Sequence, residues 1–169
     1  METANNNPVS ETVGIINVYL TPLAVILVSI AIVVSKPSGA ALYISIALLC
    51  TAVLNNILTS ILPRKNNAVI RFRMIFNVLV NIVLVYVLIG YWGPIWYLLL
   101  MTPVAAAVYS DRKQVILVSL GMSSVLVIIY LLRGVTGLQS WGQAASRILL
   151  MVILSLFINA LVTRCYGRK

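Results

Sequence analysis

Histidine is absent from this chain, and carboxylates nearly so: among 169 residues only Glu2, Glu11 and Asp111 are acidic. The first absence removes the commonest general base and metal ligand, and imidazole ligation of haem. The second leaves no carboxylate inside any apolar stretch, where proton relays and cation-coupled carriers usually place one. Three acids this far apart cannot form a paired-carboxylate site. No glycine-rich phosphate loop and no G-x-S-x-G sequence occurs. The two cysteines, Cys50 and Cys165, fall at different depths, one deep in an apolar run and one just beyond another. A disulfide is therefore not expected. Cys165 is placed either as an acylation site near a membrane surface or as an ordinary thiol. No metal site and no enzymatic activity are expected.

Charge of either sign is also scarce. Only 9% of residues are charged, 62% are hydrophobic and the mean hydropathy is +1.07. A soluble domain carries about 25% charged residues to cover its surface. Water cannot surround most of this chain, whereas a bilayer can.

What is present is a series of apolar runs at 14–34, 40–62, 68–91, 94–110, 114–132 and 146–163. Each is long enough for a helical crossing of a hydrocarbon layer about 30 Å thick. Backbone in lipid must satisfy its own hydrogen bonds, which favours helices. A β-barrel needs alternating polarity, and LAVILVSIAIVV does not alternate. The expected class is all-α, a polytopic membrane protein with six transmembrane helices. Residues 1–13 would form a cytoplasmic tail, 14–163 the membrane domain and 164–169 a basic cytoplasmic tail. The N-terminal segment has two glutamates and no basic residue, unlike a signal peptide, so the first helix is expected to remain.

The basic residues set the expected orientation. With six crossings, Arg64, Lys65, Arg71, Arg73, Arg112, Lys113, Arg164, Arg168 and Lys169 share one side, and Lys36, Arg133 and Arg147 the other. This bias places both termini in the cytoplasm of a multi-pass cell-membrane protein. A net charge of +9 distributed in this way suits anionic lipid rather than nucleic acid. Tyr91, Trp92, Trp96, Tyr97 and Trp141 are expected as outer aromatic anchors. The cluster at 91–97 is alternatively a place for an apolar or quinone-like ligand, and lipid, quinone or carotenoid is the only cofactor class left open, by apolar contact. Gly93 and Pro94 make the turn between the third and fourth helices. Pro103 is expected to kink the fourth helix, because it removes a backbone hydrogen bond. Ser119 and Ser123 have small-xxx-small spacing for close helix packing, and Tyr86 and Tyr130 are expected to be packing residues.

Asparagines inside apolar runs are the remaining polar feature. Asn55, Asn56 and Thr59 lie in the second run. Asn77 and Asn81 lie in the third, in line with Arg73 on one helical face. At about 1.5 Å per residue, Thr59 and Asn77 are expected to share one level and Asn55 and Asn81 another. Asn17 and Asn159 fall in the same half, suggesting a polar layer in the inner leaflet. That layer is either inter-helix glue or a ligand pocket and coupling layer.

The sequence Y-L-L-L-M-T-P-V-A-A-A, beginning at Tyr97, follows Tyr86, Gly90 and Gly93-Pro94 and precedes the basic turn at Arg112 and Lys113. This pattern resembles the six-helix membrane input domain of bacterial sensor histidine kinases, over residues 77–164. The chain has neither the phosphorylatable histidine nor the ATP-binding domain of those proteins. The resemblance implies a freestanding sensory or anchoring module with a protein partner. In size and helix number the chain is also similar to the substrate-binding subunits of energy-coupling-factor transporters. An accessory subunit of a respiratory, photosynthetic or secretion complex is a third expectation.

Overall fold

The computed structural model describes the backbone of residues 8–61 and 67–166, and the side chains of residues 20, 22–55, 57, 72 and 75–165. Among the described residues every regular element is helical and no strand occurs. Six α-helices follow in order: α1 (Pro8–Ser35), α2 (Ala40–Ile61), α3 (Asn67–Leu88), α4 (Tyr97–Tyr109), α5 (Arg112–Leu132) and α6 (Leu138–Tyr166). A 3-10 turn, Gly93–Trp96, leads directly into α4.

The helices and the apolar runs have different ends. α1 begins at Pro8 rather than 14, α6 at Leu138 rather than 146, and α3 closes at Leu88 rather than 91. Hydropathy reports where apolar side chains begin, whereas a helix begins where its backbone bonds do. Proline suits the first position of α1, where its missing N–H is not needed. The added turns of α6 are two-faced: Gln139 and Gln143 are exposed, while Ala144 is buried and Trp141 half-buried.

Two helices are long and apolar enough to cross a membrane: Arg112–Leu132, with mean hydropathy 2.6, and Leu138–Cys165, with 2.2. The other apolar helical segments among the described residues are shorter. α4 has 13 residues, about 20 Å of helix at 1.5 Å per residue. It remains helical through Pro103, without a break.

α4 is the axis of the bundle. Leu98, Leu99, Pro103, Ala106 and Ala107 are buried along it. Exposed leucine or isoleucine instead marks α1, α2, α3, α5 and α6. α4, α5 and α6 pack against one another most extensively. α2 pairs with α3, α1 bridges α2 and α4, and α3 reaches the α4–α6 trio chiefly through α4. Ser119 and Ser123 are both buried on α5, and Ser123 Oγ lies 3.9 Å from Met151 Sδ on α6. The small residues therefore admit a close α5–α6 approach. Cys50 and Cys165 are free thiols.

Two helix ends near the α3–α4 turn are closed by specific contacts. After α5, Gly134 adopts φ +62°. Its N–H bonds Leu131 O at 3.0 Å and Val135 N–H bonds Tyr130 O at 3.1 Å. That pair of bonds is a Schellman cap, and its left-handed position favours glycine. Arg133, just before it, reaches across to α3. Its Nε donates to Tyr86 O at 2.8 Å and its Nη2 to Val87 O at 2.7 Å. These carbonyls belong to the last turn of α3, which has no intrahelical donor for them. A cation is also favourable at this negative end of the helix dipole.

Candidate functional site

A cleft of about 820 Å³, measured with its open mouth, runs between α1, α2, α3 and α4. It follows the boundary between the α2–α3 pair and the α4–α6 trio. Val28, Leu49, Leu84 and Met101 supply much of its apolar wall. Its polar side chains are Asn77 and Asn81 on α3, and Thr102 and Tyr109 on α4. Asn77 and Asn81 are one turn apart, and Thr102 and Tyr109 two turns apart, so each pair shares a helical face. Among the described residues, no Asp, Glu, Lys or Arg lines the cleft. Apolar walls with a few convergent polar groups suit a small ligand.

The expected polar layer takes a different form. Asn55 Nδ2 donates to Asn77 Oδ1 at 3.2 Å, so Asn55 pairs with Asn77 and not with Asn81. The expected levels set Asn77 beside Thr59 and Asn81 beside Asn55. The resulting register offset is four residues, about 6 Å. Asn81 stands on the cleft wall instead. Asn159 is elsewhere: its Nδ2 donates to Ala107 O at 2.9 Å and to Ser110 O at 3.0 Å. It is buried and ties α6 to the last turn of α4. The asparagines thus serve three places: the α2–α3 pair, the cleft wall and the trio. The side chains of Asn17, Asn56, Thr59, Arg71 and Arg73, and the whole of Arg64 and Lys65, lie outside the described residues.

The aromatic residues divide as well. Tyr91 and Tyr97 are exposed, and Trp92 and Trp141 half-buried. Trp96, expected as an outer-side anchor, is buried within the bundle at only 5% exposed. The 3-10 turn carries it inside, where the Arg147 guanidinium lies 5.9 Å from its ring centre and 5.9 Å from that of Tyr130. Arg147 Nη1 also donates to Tyr130 Oη, giving Tyr130 a polar contact beyond packing. Arg112 and Lys113 are exposed in the first turn of α5, and Arg164 is exposed in the last turn of α6.

The sequence reading did not single out Arg133, Arg147, Thr102 or Tyr109 as site residues. For the arginines, the available signal was their place at the ends of apolar runs, Arg133 just after the run 114–132 and Arg147 at the start of the run 146–163. For Thr102 and Tyr109 it was their seven-residue spacing around the small Ala105. Among the described residues, no group of three or more His, Cys, Asp or Glu side chains comes together. No protein-family model, curated protein or solved structure matches the chain.

Proposed function

We propose that this chain is a multi-pass protein of the cell membrane, with six crossings and both termini in the cytoplasm. It works without catalysis, as a sensory or anchoring module that acts through a protein partner. The observation that carries this reading is the seam between the α2–α3 pair and the α4–α6 trio, with the cleft along it. A packed unit beside a less extensively joined pair can hold two arrangements, and anything that binds one arrangement better shifts the population.

Several features support the membrane part. Exposed apolar side chains on five helices suit lipid. Arg112 and Lys113 sit in the first turn of α5, where the helix dipole disfavours cations by about 0.3–1 kcal/mol. An anionic cytoplasmic surface gives a reason to keep them there. The resemblance to sensor-kinase input domains over residues 77–164 supports the signalling part. The cleft also favours a second reading, in which a transport subunit holds cargo there.

One experiment tests the proposal: cross-linking in membranes, mild-detergent purification of the tagged chain, and mass spectrometry of proteins and extracted small molecules. The account expects a stoichiometric protein partner that is not an ATPase. A transport ATPase together with a retained polar metabolite would overturn it in favour of the transport subunit. Purification without any stoichiometric partner would overturn it as well.

A further inference from the structure

The α1–α4 cleft contains three polar groups whose hydrogen bonds are unmade among the described residues: the Asn81 amide and the Thr102 and Tyr109 hydroxyls. Thr102, like the buried Ser119 on α5, departs from the bonding that many hydroxyl residues in these helices show. Ser45, Thr51, Ser123, Ser155 and Thr163 each donate to the carbonyl four residues earlier, at 2.7 Å. That local bond is the usual way for a hydroxyl in a helix to satisfy itself. Thr102 does not make it. Asn77 is already engaged by Asn55 at 3.2 Å, but Asn81, one turn further along the same face, has no such partner. A half-buried polar group that gains a hydrogen bond to an occupant contributes about 0.5–1.5 kcal/mol net. Here three occur on facing walls of one cleft.

We infer that the cleft binds an uncharged amphiphile, an apolar chain bearing a hydroxyl or carbonyl head that Asn81, Thr102 and Tyr109 hydrogen-bond. A neutral head is inferred because, among the described residues, no charged side chain lines the cleft, and an unpaired charge is strongly penalised in a low-dielectric site. It can donate or accept, because the amide and both hydroxyls offer each role. The chain of the ligand lies along Val28, Leu84 and Met101, an apolar wall contributed by α1, α3 and α4. An occupant there touches both the α2–α3 pair and α4, so binding bears directly on the seam. This inference deepens the proposed function by giving the module its input, but its test does not require the partner.

The test uses the full chain in nanodiscs of neutral lipid and two photoactivatable probes: a diazirine-bearing C16 alcohol and the C16 trimethylammonium of the same chain. Cross-linked peptides are mapped by mass spectrometry. The alcohol is expected to label α1, α3 and α4 residues of the cleft in a saturable way, and the ammonium is not. Thr102→Val and Tyr109→Phe keep the side-chain volume and helical state nearly intact. Each is expected to cut cleft labelling about five-fold, the equivalent of one net hydrogen bond, with labelling of the α5 and α6 outer faces unchanged as an internal control. The inference is overturned if the two probes label the cleft equally, if labelling follows only the lipid-facing surfaces, or if both variants label like the parent. Any of these results leaves the partner experiment unaffected, and a missing partner leaves cleft labelling unaffected.

Discussion

The α4–α6 trio and the α1–α3 side of the bundle use the same kinds of residue to different ends. In the trio, Leu99, Ala107, Val115, Leu126 and Met151 are almost completely excluded from the surface. Its internal amide, Asn159, donates to the carbonyl of Ala107 in the last turn of α4 and to that of Ser110, the residue just after it. On the other side, the Asn55–Asn77 bond joins α2 to α3, while Asn81 faces the cleft. Small and polar residues close the gaps in the first region and line one in the second. In lipid, helix association depends on close packing and inter-helix hydrogen bonds more than on apolar burial. The trio should therefore be the rigid part, and the α2–α3 pair the part free to respond.

Truncation in each region should break the comparison most sharply if it is mistaken. Met151→Ala opens a hole where α5 meets α6 and is expected to destabilise the protein by about 2–5 kcal/mol. Leu49→Ala widens a gap that already exists, and is expected to cost about 1 kcal/mol or less because little new cavity is made. Unfolding in mixed micelles monitored by tryptophan fluorescence measures both, and equal losses would erase the distinction. The next effect in size is at Asn159. Asn159→Leu removes one buried and one part-buried bond to backbone oxygens and should lose about 1–3 kcal/mol in the same titration.

A smaller effect is expected at the amide pair of the other region. A double-mutant cycle with Asn55→Leu and Asn77→Leu should give a coupling of about 0.6 kcal/mol, within the range measured for inter-helix bonds in membranes. A coupling above that of Asn159 with its helix would place the rigid region on the wrong side. The smallest effect belongs to Arg133, which is exposed. Arg133→Gln should leave global stability within about 0.5 kcal/mol, yet speed hydrogen exchange in the last turn of α3 and in the amides of Ile89 to Trp92. Unchanged exchange there would mean that the bonds to Tyr86 and Val87 carbonyls do not close that helix end.

The sequence made some of this legible and hid the rest for physical reasons. The helical class was readable because long runs without period-two alternation leave the backbone few other solutions. The central position of α4 was not readable. Its apolar residues resemble those of any other run, and only alanines at 105–107 hint that neighbours approach closely. The asparagines were visible as unusual, but their partners were not, because pairing depends on the register of α3 against α2, which composition does not set. A one-turn offset moved Asn77 to Asn55 and left Asn81 for the cleft. Trp96 was read as an anchor because tryptophan favours interfaces. The 3-10 turn at Gly93–Trp96 rotates it inward, beside Arg147, and hydropathy has no term for that. Thr102 was invisible because threonines in apolar helices usually satisfy themselves.

The claim that the α2–α3 pair moves against a rigid trio is open to a distance measurement. Cys50 and Cys165 are replaced by alanine, and spin labels are placed at the exposed sites Ile57 on α2 and Leu161 on α6, or at Leu117 on α5 and Leu161. Double electron–electron resonance in lipid nanodiscs then gives the two distance distributions. The account predicts a narrow single peak for the α5–α6 pair and a broad or two-peaked distribution for the α2–α6 pair. It also predicts that the C16 alcohol, and not the trimethylammonium, narrows the latter. Two equally narrow distributions, unchanged by either compound, would contradict it.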